Sequence, residues 1–78
     1  MMDFYRISIR LKKIISEQEK RMKILDKDVA KALGLDPQYY AVIKRRNKIP
    51  YEAIAFYCKE YKISMNWILL NQEPEYLT

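Results

Sequence analysis

Apolar residues along the chain recur with a helical period from Asp26 onward, while the first segment carries two periods at once. Tyr5, Ile7, Ile9 and Leu11 alternate with Arg6, Ser8, Arg10 and Lys12 as in a strand, and Phe4, Ile7, Leu11, Ile14 and Ile15 also fall on one helical stripe. Helix is preferred from Asp3 to about Glu17, because the stripe persists to Ile15, Asp3 can cap the start and a lone strand would have no ladder to join. Ser16 to Leu25 is highly charged, carries no breaker and reads as a link.

Beyond that link the start and stop signals are sharper. Asp26 is expected to cap a helix of about two turns whose apolar face, Val29, Ala30 and Leu33, stops at Gly34. Asp36 followed by Pro37 predicts the next helix, an acidic cap with Pro at a position whose N–H has no partner anyway, running through Tyr40 and Ile43 to about Arg46. Ile49-Pro50 opens a fourth, with Ala53, Ile54, Tyr57, Cys58 and Tyr61 inward. Ser64 caps a fifth from Met65 to about Asn71, apolar on nearly every side, with Trp67 in the core. Glu73-Pro74 ends it and leaves residues 75–78 as a tail. One Gly and three Pro leave little material for β-turns, so the expectation is an all-α chain: one domain over residues 1–72 and a tail over 73–78.

Composition narrows the function. Seventy-eight residues hold one core, and folding at this size hides only about 60% of the surface the unfolded chain exposes, so a dimer interface would add stability. With no His and a single Cys, the usual general base, the commonest metal ligand and an internal disulfide are all missing. No catalytic residue, metal site or cofactor is expected, and Cys58 reads as a small buried hydrophobe. The absence of a long apolar run or an ordered leader suits a cytoplasmic protein. A net charge of +5 favours acidic partners, nucleic acid first and an anionic membrane surface second. That charge is local: +3 over residues 1–30 (eight basic, five acidic), +4 over 31–50 (five basic, one acidic) and −2 over 51–78 (two basic, four acidic).

The most specific feature is Leu33-Gly34-Leu35 between two short helices. A tight turn there needs a residue that adopts a left-handed backbone, and the only Gly occupies it, with the small Ala30 one turn earlier. Val29, Leu33, Leu35, Tyr40 and Ile43 can close a small core behind it. The pattern fits a helix-turn-helix, and it equally fits an ordinary αα-hairpin of a bundle.

Residues 26–45, Asp-Lys-Asp-Val-Ala-Lys-Ala-Leu-Gly-Leu-Asp-Pro-Gln-Tyr-Tyr-Ala-Val-Ile-Lys-Arg, resemble the helix-turn-helix of Xre-type phage repressors. The run Arg46-Asn47-Lys48-Ile49-Pro50-Tyr51-Glu52-Ala53-Ile54 is similar to one in the lambda CI-like repressor DNA-binding domain. Ile63-Ser64-Met65-Asn66-Trp67-Ile68-Leu69 is similar to that family's closing helix. The likeness spans about residues 11–71 and implies a compact five-helix, lambda-repressor-like fold acting on double-stranded DNA as a homodimer, without a small-molecule ligand.

The resemblance makes residues 37–46 the recognition helix. Gln38, Tyr39, Ala41, Val42 and Arg45 are then the candidate base contacts, with Gln38 suited to adenine and Arg45 to guanine or simply to a phosphate. Lys27, Lys31, Lys44, Arg46 and Lys48 are the candidate phosphate contacts, and Gly34 makes the motif turn. This chain departs from the family in carrying Asp36, Pro37, Ala41 and Val42 where small hydroxyl and basic residues are usual. Tyr40 also stands where a smaller branched residue is usual, which is expected to spread the two motif helices. An exposed apolar pair also suits a protein-binding helix, so the alternative is an interaction module, such as a phage or plasmid antagonist, that uses the fold without specific DNA binding.

Overall fold

The computed structural model describes residues 2–77 and contains five helices: α1 (Phe4–Glu19), α2 (Asp26–Ala32), α3 (Pro37–Arg45), α4 (Tyr51–Tyr61) and α5 (Met65–Leu70). Among those residues the protein is all-α, and no helix is long and apolar enough to cross a membrane. In α1 the helical stripe prevails over the alternating one. Phe4, Ile7, Leu11, Ile14 and Ile15 are buried, and Tyr5 and Ile9 stand exposed. The Asp3 carboxylate caps the start by accepting from the Tyr5 N–H at 2.9 Å. Lys20 ends α1 in a left-handed conformation (φ 56°), and the link that follows crosses the core once, at buried Ile24.

The cap of α2 differs from the expectation. Leu25, not Asp26, takes the cap position, and its N–H donates to Asp28 Oδ2 at 2.8 Å, an acid in the first turn satisfying a backbone donor. Asp26 lies one residue inside the helix, and its carboxylate is committed to two lysines instead: Lys12 of α1 at 2.9 Å and Lys44 of α3 at 2.9 Å. Leu has no side-chain acceptor with which to signal a cap, so the pattern alone placed the cap one residue late.

Ile54, Tyr57 and Cys58 of α4 and Trp67 and Ile68 of α5 complete the core. Ser64 caps α5 as expected, accepting from the Trp67 N–H at 3.3 Å. Two expectations fail here. Tyr61 is not inward; it is 44% exposed, with its ring 4.8 Å from that of Tyr57. Residues 75–77 are not a free tail. Ser64 N–H donates to Glu75 O at 2.8 Å, Leu77 N–H to Lys62 O at 2.7 Å, and Tyr76 O–H to Glu17 Oε1 at 2.7 Å, while Lys13 pairs with Glu75 at 2.7 Å. The C-terminal segment is therefore strapped across α1. The far end of α5 is fastened too, since the Arg10 Nε–H donates to the Ile68 carbonyl at 2.6 Å. That contact joins residues 58 positions apart, and no local pattern announces it.

Candidate functional site

The α2–α3 unit is built by its turn. Gly34 adopts φ +71°, its N–H donates to Lys31 O at 3.0 Å, and the Leu35 N–H donates to Ala30 O at 2.8 Å, which satisfies the last carbonyls of α2. A methyl group added at Gly34 would meet no atom within 4 Å, so the requirement for Gly is one of backbone conformation, not space. Asp36 Oδ1 then accepts from the Gln38 N–H at 2.8 Å and the Tyr39 N–H at 3.2 Å, starting α3 with Pro37 in its first turn.

Tyr40 and Ile43 anchor α3. The Tyr40 ring meets Phe4 edge-on at 5.4 Å between centroids, and its hydroxyl pairs with buried Ser8 Oγ at 2.9 Å. Burial pushes the Tyr40 phenol up to about 12, so it stays neutral in this pair. The large side chain expected to separate the motif helices is thus directed onto α1. At the other end of α3, Asn47 takes a left-handed conformation (φ 54°) and its Oδ1 accepts from the Phe4 N–H at 2.7 Å. One residue closes α3 and caps α1.

With Tyr40 and Ile43 inward, the opposite side of α3 presents Gln38, Ala41, Val42 and Arg45, which share one face at helical spacing. Gln38, Ala41 and Arg45 are exposed and Val42 is half-buried. Tyr39 does not share this face. It is exposed but lines a hollow of about 560 Å³ with Leu33, Leu35, Tyr51 and Phe56, on the side turned toward α4. Lys27 and Lys31 border a hollow of about 430 Å³ with Asp28, Leu35 and Pro37, beside the start of α3. Arg46 and Lys48 are exposed beyond its end.

Lys44 stands apart from the other cations. Its ammonium pairs with Asp26 at 2.9 Å and lies 5.6 Å from the Tyr5 ring centroid, so it ties α3 to α2 and α1. Burial alone would raise the Asp26 carboxyl, but the hydrogen bonds from Lys12 and Lys44 outweigh it and hold the group below the ordinary aspartate range. Lys27, Lys31, Arg45, Arg46 and Lys48 have no acidic partner within 4 Å among the described residues. The only acid within residues 31–50, Asp36, has its oxygen engaged in the α3 cap. Asp28, held by Arg21 at 2.8 Å, and the capping Asp36 offset part of this charge, and the neighbourhood of α3 carries more cations than acids.

Cys58 is buried, and desolvation pushes its thiol up to about 11, far from a reactive thiolate. Tyr57 is buried with its hydroxyl donating to Gln18 Oε1 at 2.9 Å, whereas Tyr51 lies exposed at the start of α4. Sequence reasoning missed Asn47, Ser8 and Arg10 as the residues that hold the α3 platform and α5. The Asn before Lys48 offered a signal, since Asn is the side chain after Gly that best tolerates a left-handed helix end. No protein-family model, curated protein or solved structure matches the chain.

Proposed function

We propose that this protein is a sequence-specific, double-stranded DNA-binding regulator with a lambda-repressor-like helix-turn-helix, acting in the cytoplasm as a homodimer. The observation that carries the reading is the unpaired positive border of α3, Lys27 and Lys31 at its start and Arg46 and Lys48 at its end, around an exposed face whose polar members are Gln38 and Arg45. Four cations so placed can meet phosphates on either side of a groove, and Gln38 and Arg45 carry amide and guanidinium groups that pair with base edges. Lys44 falls outside this set because Asp26 holds it. Exposed Leu70 on α5 offers apolar surface to a second copy.

Gln38→Ala and Arg45→Ala should each weaken binding to a selected duplex by about 1–3 kcal/mol and relax preference at one position, with helix content unchanged. Equal affinity for selected and scrambled duplexes would sink the sequence-specific reading. The exposed Ala41 beside Val42 supports a second reading, a module that binds a protein through the same face. Stoichiometric capture of one protein, together with no salt-sensitive retention on DNA, decides for that class.

A further inference from the structure

We infer that α3 reads thymine through its methyl group, with Ala41 and Val42 as the specificity-determining residues; the inference rests on the DNA-binding reading. The outward face of α3 is polar at its ends and apolar in its middle. Gln38 and Arg45 stand seven positions apart on that face, and between them Ala41 and Val42 carry no hydrogen-bonding group. Ala41 is exposed and Val42 half-buried, while the fully buried positions of α3 are Tyr40 and Ile43.

In the major groove every base pair offers donors and acceptors, and the thymine 5-methyl is the one apolar group among the standard bases. Pressing the Ala41 and Val42 methyls onto a donor or acceptor would strip its water without replacing the bond, whereas pressing them onto a thymine methyl removes apolar surface from water on both partners. The short side chains at the middle of the face also bring the helix close to the groove floor. Asp36 keeps its charge at the α3 cap, where its Oδ1 accepts from the Gln38 and Tyr39 N–H groups, more than one helical turn before Ala41. The preferred half-site therefore carries a thymine flanked by the base pairs that Gln38 and Arg45 meet.

The test uses a duplex enriched by selection from random sequence, resynthesised with deoxyuridine in place of one thymine at a time, and the full chain. Affinity should fall about fourfold at the one or two positions whose methyl is touched and remain unchanged elsewhere, with the same salt dependence throughout. Ala41→Gly and Val42→Ala should shrink that thymine-over-uracil ratio toward one, as a double-mutant cycle between side chain and methyl requires. Equal affinity at every position, or a ratio untouched by both variants, overturns this inference and leaves DNA binding standing. Failure to retain any duplex in a salt-dependent manner overturns both.

Discussion

Asn47 joins the exit of α3 to the entrance of α1, and its two roles can be separated by substitution. Its side chain accepts from the Phe4 N–H at 2.7 Å, and its backbone sits at φ 54°. Loss of the hydrogen bond costs about 1 kcal/mol, because the orphaned N–H is only partly buried and water can reach it. Placing an ordinary side chain in the left-handed region costs about 1 kcal/mol more. Asn47→Gly removes the first contribution and should cost about 1 kcal/mol, to which the looser unfolded chain adds a few tenths. Asn47→Ala removes both and should cost about 2 kcal/mol. Asn47→Asp keeps the acceptor and places a negative charge at the α1 N-terminus, so it should stay within about 0.5 kcal/mol of the parent. In a domain of this size each kcal/mol moves Tm by about 4–8 °C, so urea titration and thermal melts followed by circular dichroism resolve all three. A Gly variant as stable as the parent would refute the tie to Phe4. Equal stability of the Ala and Gly variants would refute the backbone argument.

Gly34→Ala should destabilise by about 1 kcal/mol with unchanged structure, since the added methyl meets open space and only the positive φ opposes it; a neutral effect in urea titration would contradict this. Tyr40→Phe should cost about 1–2 kcal/mol by leaving the buried Ser8 hydroxyl without a partner, and adding Ser8→Ala should recover part of that loss; strictly additive costs would argue against the pair. Acid should loosen the α1–α2–α3 junction. Asp26 is held below its ordinary pKa in the fold, so its contribution is present above the unfolded value near 4 and disappears as pH falls through the folded value. Asp26→Asn should flatten the acid limb of a stability-against-pH curve measured between about pH 2 and 5, and an unchanged limb would show that the carboxylate contributes nothing.

Helix periodicity was legible wherever one face alone met the core. Phe4, Ile7, Leu11, Ile14 and Ile15 decided α1 against the competing alternation, because a stripe about three turns long outlasts the strand reading. Asp36-Pro37 and Gly34 set the α2–α3 unit through local backbone chemistry, which sequence carries in full. What could not be read were interactions between distant residues. The strap of residues 75–77 depends on Glu17 and Lys13, about sixty positions away, and Tyr61 stands exposed with its ring against that of the buried Tyr57. The same limit applied to the site. Which cations lie near α3 followed from spacing, but that Lys44 is withdrawn by Asp26 depended on how α1, α2 and α3 meet. Tyr39 lies about 100° round the helix from Gln38 and lines the hollow with Leu33 and Leu35 on the α4 side.

The most direct test of the DNA-binding account is the affinity for a selected duplex across a salt series. Four phosphate contacts per subunit, from Lys27, Lys31, Arg46 and Lys48, predict a slope of log K against log salt of about −3.6 per subunit bound, a loss of about 150-fold between 50 and 200 mM. Lys27→Gln with Lys31→Gln should reduce the magnitude of that slope by about 1.8 while the preference among sequences stays the same. A slope near zero, or one that the double variant leaves unchanged, would contradict the account.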